Sequence, residues 1–241
     1  MAFFFTRLVR YIIFAIVLYS VSQYALRWKG YTVSPKAFRS AAAKATGANG
    51  LSNVNKLRGD LHRLYSQHIL DSGWENVYGG GLNLRATLLF GSLTEFIIVL
   101  HAPHRTSGFS GWHWANSTCT VLNGNVVRSL YSVNGGNKEI FKSGSNFRHG
   151  EFERYTYEFM EDTFLVCYGR GIVPVSSVWL SSGALSVGDP VSAAKLGFIY
   201  SQAVLHEIKM YITEKFHYYK SKAMKMNVHD TKEEGNLNNG L

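Results

Sequence analysis

The sequence predicts an α+β protein with an N-terminal transmembrane helix, an antiparallel β-barrel or sandwich, and C-terminal amphipathic helices. Three observations support this prediction. An apolar run opens the chain, short aromatic and β-branched segments fill its middle, and a long stretch with helical spacing follows. With 241 residues and 46% hydrophobic content, the chain is long enough to bury one sizeable core in addition to a membrane anchor.

Positive charge is concentrated near the N-terminus. Residues 1–59 contain nine of the 25 Lys and Arg residues and no acid, whereas the remainder holds sixteen residues of each sign. Because this basic excess flanks an apolar run, it indicates contact with anionic lipid headgroups rather than with nucleic acid.

Residues 1–30 form the predicted membrane anchor. The apolar run from Leu8 to Leu26 would extend about 28 Å as a helix, which is enough to cross a bilayer. A cleaved signal peptide is disfavoured because Gln23 and Tyr24 occupy the place where small residues would be needed. A mitochondrial targeting segment is an alternative interpretation, since the region lacks acids, although such segments are amphipathic rather than uniformly apolar.

Residues 31–73 are predicted to form a helical connector. One helix runs from Pro35 to about Lys44 and is followed by glycines that end it. A second, amphipathic helix runs from about Ser52 to His68. Its apolar face carries Leu57, Leu61, Leu64 and Tyr65.

Residues 74–188 are predicted to form the β-domain. From Trp74 onward the apolar period becomes strand-like, and turns such as Asn123-Gly124 separate many of the segments. Short strands at regular spacing indicate an antiparallel barrel or sandwich. The predicted strands are Ala86 to Leu89, Thr94 to Leu100, Gly111 to Leu122, Asn125 to Tyr131, Glu151 to Glu158, Thr163 to Tyr168 and Val173 to Leu180.

Residues 189–225 are predicted to be helical. Asp189 suits an N-cap and Pro190 the first helical position, and apolar residues are then interspersed with charges as far as about Tyr219. This pattern indicates amphipathic helices that either lie on a bilayer or cover the β-domain. The polar residues 226–241 are predicted to be a disordered tail.

Several motifs between residues 74 and 180 occur in a recognisable order. The most specific is Tyr168-Gly169-Arg170-Gly171-Ile172-Val173-Pro174, whose spacing from Trp114 and His149 is also distinctive. The others are Trp74 with Gly79-Gly80-Gly81, Leu88-Leu89, Ser92-Leu93-Thr94-Glu95-Phe96, Ser110-Gly111, Trp114-Ala115 and His149-Gly150. Together with the N-terminal anchor, this set resembles the family of fungal C-8 sterol isomerases and sigma-1 receptors.

The resemblance implies a cupin-like antiparallel β-barrel around an apolar ligand cavity, with two C-terminal helices under its mouth on the membrane face. It also implies a tendency to trimerise. No metal or other cofactor is expected, because the sequence contains no metal-binding or phosphate-loop motif. The residues that the resemblance places at the cavity are Phe96, His113, Trp114, Cys119, His149, Cys167 and Tyr168.

The chemistry of the isomerases needs two acids that this chain lacks. Moving a ring double bond in a sterol takes a strong proton donor and a carboxylate that stabilises the carbocation. The resemblance puts Cys119 and Cys167 at the two acid positions, and Phe96 where a tyrosine hydrogen-bonds one acid. A thiol, with an ordinary pKa of about 8.5 against about 4.3 for glutamic acid, is too weak a donor, so we expect no isomerase activity.

Other titratable residues near the motifs offer little replacement. The resemblance matches Glu95 and Glu158 to acids outside the proton-transfer pair, so a structural hydrogen-bonding role is the preferred interpretation of both. His113 borders the expected cavity, but a lone histidine in a barrel strand is more often packed or hydrogen-bonded than a ligand-binding group.

The two cysteines have two interpretations under this resemblance. If their side chains face each other across the cavity, a disulfide closing the 48-residue separation would stabilise the fold by about 4 kcal/mol and require an oxidising compartment. Alternatively, they are buried free thiols that fill space after the catalytic acids were lost. The second interpretation is preferred.

Three functions follow, in order of preference. The first is a non-catalytic, membrane-anchored structural or accessory subunit of a larger membrane complex, with a mitochondrial respiratory complex as one candidate. The second is a sigma-receptor-like binder of sterols or other lipids, with poor recognition of cationic amines because no acid remains to pair the ammonium. The third and least favoured is an active C-8 sterol isomerase.

The expected partners follow from these functions. They are membrane lipids, a sterol or other apolar ligand, and either the subunits of a membrane complex or two further copies in a homotrimer; no nucleic acid is expected. The resemblance implies the endoplasmic reticulum membrane, and the mitochondrial inner membrane is the alternative.

Overall fold

Helices flank an antiparallel β-domain in the computed structural model, which describes residues 2–28, 30–130 and 137–238. This arrangement confirms the α+β class. The described helices are α1 (Ala2–Trp28), α2 (Pro35–Lys44), α3 (Gly50–Leu64), α4 (Val173–Ser186) and α5 (Pro190–Asn238). The described strands are β1 (Glu75–Gly79), β2 (Leu82–Gly91), β3 (Glu95–Ala102), β4 (Thr106–Phe109), β5 (Ala115–Asn123), β6 (Asn125–Leu130), β7 (Lys138–Lys142), β8 (Asn146–His149), β9 (Tyr155–Phe159) and β10 (Thr163–Gly171).

The strands form two antiparallel sheets. The larger sheet has six strands in the order β1-β2-β3-β10-β5-β8, and the smaller has four in the order β4-β9-β6-β7. Strand β10 lies in the interior of the larger sheet, paired with β3 on one side and β5 on the other. The predicted strand from Asn125 is β6, although Tyr131, where the prediction ended, lies outside the described residues.

Helices α2 and α3 cover the outer face of the larger sheet. Phe38 of α2 and both Leu57 and Leu61 of α3 are fully buried there against apolar residues of β2, β3, β5 and β10. The helical bounds of α2 agree with the prediction, whereas α3 ends at Leu64 because Tyr65 leaves the helical conformation as its C-cap. Leu64 is exposed, so the predicted apolar face is narrower by one leucine.

A second apolar core lies between the two sheets. It combines inward-facing residues of the larger sheet, such as Leu84 and Leu165, with Val126 and Phe159 of the smaller sheet. Alternate residues of each strand face opposite sides of a sheet, and strands β2, β3, β5 and β10 therefore contribute to both cores.

Helix α1 covers the predicted apolar run and confirms that it is helical. Its apolar side chains between Leu8 and Val21 are largely exposed to solvent, and Tyr19 stacks on Trp114 of the β-domain with ring centroids 5.3 Å apart. Within the described part of the chain, no helix has both the length and the hydropathy required to span a membrane.

Helix α4 replaces the predicted strand from Val173 to Leu180, so that prediction was wrong. Pro174 lies in the first turn, where a missing N–H costs nothing, whereas it would interrupt a strand ladder. The Trp179 ring of α4 occupies a notch made by two glycines. A Cβ atom at Gly79 would lie 2.6 Å from this ring, and one at Gly111 would lie 2.2 Å from it.

Helix α5 begins as predicted and ends later than predicted. Asp189 is its N-cap, since its carboxylate accepts a hydrogen bond from the Ser192 backbone N–H at 3.0 Å. The helix continues through Tyr219 to Asn238, so most of the predicted disordered tail is helical. The Lys, Met, Glu and Ala residues of this segment favour a helix, and no proline interrupts it. Residues 239–241 lie outside the described residues.

Glu95 ties the segment after α1 to the larger sheet. Its carboxylate is fully buried and accepts hydrogen bonds from the Thr32 backbone N–H at 2.8 Å and from the Tyr168 hydroxyl at 2.7 Å. Arg170 lies 3.7 Å away. Glu158 instead forms a surface ion pair with Arg105. The structural hydrogen-bonding role predicted for both glutamates is therefore confirmed.

We predict that Glu95→Gln lowers the free energy of unfolding by about 3 kcal/mol, because it removes the charge that pairs with the partly buried guanidinium of Arg170 and that accepts the hydrogen bonds from Thr32 and Tyr168. The matched variant Glu158→Gln breaks a pair with a well-exposed arginine and is expected to cost less than about 1 kcal/mol. Denaturant unfolding of both variants measures the difference. Equal losses would contradict the structural role assigned to Glu95.

Candidate ligand-binding cavity

A cavity of about 280 Å³ lies between the two sheets and under the C-terminal helices. Strands of both sheets supply much of its lining, and α4 and α5 supply further lining residues, including Trp179 and Tyr200. Most of the lining side chains are aliphatic or aromatic. The volume is at the lower end of the range for small-molecule sites, so a larger ligand would have to extend through the mouth.

Five of the seven residues predicted at the cavity line it: Phe96, His113, Cys119, His149 and Cys167. The other two predictions were wrong. Tyr168 follows Cys167 on β10 and so faces the opposite side of the sheet, where it packs in the outer core. Trp114 precedes the lining residue Ala115 and stacks instead on α1.

Cys119 and Cys167 form a disulfide in the cavity wall. They are direct cross-strand neighbours on β5 and β10, with Cα atoms 4.1 Å apart, and both are more than nine-tenths buried. The preferred prediction of free thiols was therefore wrong. The expected placement across the cavity was also wrong, because the two strands are adjacent in one sheet rather than opposed.

Phe96 stands beside the disulfide on the next strand. Cys167 of β10 is paired with Ile98 of β3, and Gly169 with Phe96. The Phe96 ring lies against Gly169, where an added Cβ atom would be 2.2 Å from it. Three neighbouring strands thus present sulfur and aromatic carbon on this stretch of the wall.

His149 and Tyr157 form a buried hydrogen-bonded pair in the cavity wall. His149 Nδ1 lies 3.0 Å from the Tyr157 hydroxyl, and Nε2 lies 3.1 Å from the Glu153 carbonyl oxygen. A carbonyl can only accept, so Nε2 carries the proton and Nδ1 accepts from the hydroxyl. Burial, with a smaller effect of the neighbouring His113, lowers the pKa of His149 to about 4, and burial raises the pKa of Tyr157. Both side chains are uncharged at neutral pH.

His113 lies next to this pair. Its ring centroid is 5.4 Å from that of His149 and 5.4 Å from that of Trp179, and Nε2 lies 2.7 Å from the Ser110 carbonyl oxygen. Burial lowers the pKa of His113, so this imidazole is also neutral. The prediction that His113 borders the cavity and is hydrogen-bonded agrees with this geometry.

Glu75 is the one carboxylate among the described residues that line the cavity. It begins β1, at the edge of the larger sheet, and lies 3.7 Å from Lys195 Nζ of α5. Strands β2 and β3 separate β1 from β10, which corresponds to about 14 Å along the sheet at ordinary strand spacing. This acid is therefore paired, at the sheet edge and remote from the disulfide.

The cavity residues that sequence reasoning missed include Tyr157, Ser176, Trp179 and Tyr200. Tyr155, Tyr157 and Phe159 are spaced two residues apart on β9 and so share one face, and this period of two could have been used to place Tyr157 inside. Trp179 and Ser176 were missed because the segment from Val173 to Leu180, which is part of α4, was predicted to be a strand. Tyr200 of α5 donates a hydrogen bond from its hydroxyl to the Ser92 carbonyl oxygen at 3.0 Å, and burial raises its pKa to about 12.

The chemical character of the cavity is apolar and uncharged. Its interior offers a disulfide, neutral imidazoles, tyrosines and aliphatic carbon, and its one acid is paired at the edge. Within the described residues, no group of three or more His, Cys, Asp or Glu side chains is placed to hold a metal ion. Such a lining favours a neutral, largely apolar ligand, because a buried charge without a partner is strongly unfavourable.

Comparison with known proteins gives a family and several relatives. A family model described as "ERG2 and Sigma1 receptor like protein" matches residues 9–213. The sigma non-opioid intracellular receptor 1 of Danio rerio is 25% identical over 199 residues, covering 80% of this chain and 89% of the relative. The protein of that name from Taricha granulosa is 28% identical over 205 residues, covering 82% of this chain and 91% of the relative.

The solved structures that match have lower sequence identity and cover less of this chain. An RmlC-like cupin from Shewanella frigidimarina aligns with 42% of this chain and 85% of its own, at 13% identity and a TM-score of 0.36. KdgF from Halomonas sp. aligns with 43% and 92%, at 11% identity and a TM-score of 0.35. The description of the fold above therefore rests on the strand order of this chain.

We predict that the two cysteines resist alkylation unless a reductant is added. Protein extracted in the presence of an alkylating agent and then denatured should carry no label by intact mass, and two labels after reduction. Labelling of both cysteines without reductant would contradict the disulfide. Cys119→Ala with Cys167→Ala should lower the free energy of unfolding by about 4 kcal/mol, since the bond closes a 48-residue separation.

Stability should fall as the pH falls from 6.5 towards 4. His149 has an ordinary pKa of 6.5 when unfolded and about 4 when folded, so the unfolded chain binds more protons in this window. The loss attributable to His149 is about 3 kcal/mol at the acid end.

Unfolding measured across this pH range checks the prediction. His149→Phe should reduce the pH dependence, whereas His62→Gln, at an exposed position on α3, should leave it as in the wild type. An unchanged profile in His149→Phe would contradict the neutral, buried state of His149.

Proposed function

Because the chain belongs to the ERG2 and sigma1 receptor like protein family, we propose that it is a non-catalytic binder of a neutral apolar ligand, such as a sterol or another lipid. The observation that carries this proposal is the disulfide between Cys119 and Cys167 in the wall of an apolar cavity. Sulfur atoms joined in this way neither donate a proton nor carry a charge. The cavity therefore keeps the space for a ligand and lacks the groups for sterol isomerisation.

No other lining residue supplies the missing acid chemistry. His113 and His149 have lowered pKa values and are neutral, whereas protonation of an alkene needs a strong acid. Glu75 is paired with Lys195 at the sheet edge. The active isomerase is accordingly the least favoured of the three functions.

We also propose that the protein is attached to a membrane. Helix α1 exposes apolar side chains between Leu8 and Val21, and α5 exposes Phe198, Leu205, Ile212 and Phe216. Contiguous apolar surface of this extent is unfavourable in water and suits a lipid or protein partner. Basic residues near α1 would meet anionic headgroups.

The endoplasmic reticulum is the proposed location. Relatives bear the name sigma non-opioid intracellular receptor 1, and a structural disulfide is favoured in an oxidising compartment such as the lumen of that organelle. The mitochondrial inner membrane stays the alternative, with the β-domain then facing the intermembrane space rather than the reducing matrix.

A second candidate function is an accessory subunit of a larger membrane complex. The exposed apolar surface of α1 and α5 favours it, because protein subunits could cover that surface as well as lipid could. Purification in a mild detergent separates the candidates. Co-migration with a large assembly supports the subunit, whereas a small oligomer that retains a stoichiometric neutral lipid by mass spectrometry supports the binder.

We predict that the wild-type chain fails to restore sterol synthesis in a strain lacking C-8 sterol isomerase, even when expression and membrane localisation match those of an active isomerase. The physical reason is that the described lining residues include no unpaired acid. Sterol profiling of the strain gives the readout. Accumulation of the isomerised sterol above the empty-vector level would overturn the non-catalytic assignment.

A further inference from the structure

The disulfide between Cys119 and Cys167 lies where a change in it would reach a ligand. Both cysteines line the cavity, and 5% of Cys119 and 8% of Cys167 remain exposed. They are direct neighbours in the register of β5 against β10, so their side chains lie on the same face of the larger sheet. The bond is therefore part of the surface that a ligand in this cavity would contact.

The two cysteines have apolar neighbours on both sides along the sheet. Cys119 is paired with Phe147 of β8, and Cys167 is paired with Ile98 of β3. Both of these neighbours also line the cavity. On the opposite face of the sheet, β10 packs in the outer core, where Val166 is fully buried. Since the flanks and the far face are filled, the open space next to the sulfur atoms is the cavity itself.

Breaking the bond changes the space that the two sulfur atoms occupy. Bonded sulfur atoms lie about 2 Å apart, whereas non-bonded heavy atoms in contact lie about 3.5 to 4 Å apart. Reduction therefore separates the sulfur atoms by about a further 1.5 Å or more. The two Cα atoms are only 4.1 Å apart on strands that are paired along their length, so the backbone offers little room for this movement. At least one thiol must then turn towards the cavity.

We propose that this disulfide is a redox switch for the cavity, in which the oxidised form binds the ligand and the reduced form binds it more weakly. This inference rests on the proposed function and adds its regulation. A thiol that turns into the cavity occupies space that the ligand would fill, and overpacking of this kind is unfavourable. Loss of the cross-link between β5 and β10 acts in the same direction, because the wall becomes less fixed.

The reductant that this switch requires is a small dithiol. One of its sulfur atoms, as the thiolate, attacks a cysteine sulfur; the bond between the cysteines breaks and a mixed disulfide forms. The second sulfur of the reductant then attacks the mixed disulfide and closes a cyclic disulfide. Two electrons and two protons pass to the protein, which is left with two thiols. Oxidation by a small disulfide reverses these steps.

Thermodynamic linkage makes the coupling measurable in two ways. If reduction weakens ligand binding by a given factor, the bound ligand makes the disulfide harder to reduce by the same factor. A disulfide that only stabilises the fold would show neither effect.

The test uses the full-length protein in mild detergent at neutral pH, with radiolabelled cholestanol as the probe. Buffers of reduced and oxidised dithiothreitol set the redox state, and intact mass after alkylation in denaturant counts the free thiols. We expect the reduced protein to bind cholestanol about tenfold more weakly than the oxidised protein. Saturating cholestanol should raise about tenfold the ratio of reduced to oxidised dithiothreitol at which half of the protein is reduced.

Three variants isolate the contribution of the sulfur atoms. Cys119→Ser keeps a side chain of similar size without the bond, and should bind as weakly as the reduced wild type in every buffer. Cys119→Ala with Cys167→Ala removes both sulfur atoms and the crowding, so its affinity should not respond to the buffer. Thr118→Ala is the matched control, because Thr118 adjoins Cys119 on β5 and faces the other side of the sheet. Its response should equal that of the wild type.

The outcomes distinguish the switch from the proposed function. Equal affinity of the oxidised and reduced wild type, with two free thiols counted in the reduced sample, would overturn the switch and leave apolar binding intact. A bond that stays unreduced in the folded, probe-free protein at every buffer ratio would also overturn it. Failure of both redox forms to bind cholestanol would overturn the proposed function as well. Should the double alanine variant not fold, as judged by thermal unfolding, the wild-type titration and Cys119→Ser still decide the inference.

Discussion

The alternation of side chains along β10 is the constraint on which the rest of the structure depends. This strand pairs with β3 and β5 along its two edges, and its two faces pack in the outer core under α2 and α3 and in the core between the sheets. Tyr168 and its alternate neighbours hold the outer core and reach the buried Glu95, while Cys167 and its alternate neighbours face the cavity. A slip of one residue would exchange the two faces and lose both cores.

The same alternation explains why the two cysteines in the cavity wall are not available for proton transfer. Cross-strand pairing puts Cys119 directly beside Cys167, and the two thiols close a disulfide in the cavity wall. The neutral imidazoles of His113 and His149 add polarity without charge. The result is a cavity with a largely apolar lining, in a chain whose relatives include proteins named as receptors.

The sequence allowed much of the fold to be predicted, because strand and helix periods are local properties. It did not reveal that Val173 to Leu180 is a helix, since its β-branched and aromatic content also suits a strand and only Pro174 argued otherwise. The cysteine pair was identified, but its bond depends on the register of β5 against β10, which is a long-range property. The same register decides that Tyr168 faces away from the cavity, and the motif alone could not show this.

The most direct test of an uncharged, ligand-binding cavity compares the affinity of cholestanol with that of its primary amine analogue at neutral pH. The two probes have the same shape and differ in the charge that they carry. Because no unpaired carboxylate lines the described cavity, the ammonium should bind at least about tenfold more weakly than the alcohol. Tighter binding of the amine would contradict the neutral character assigned to the site.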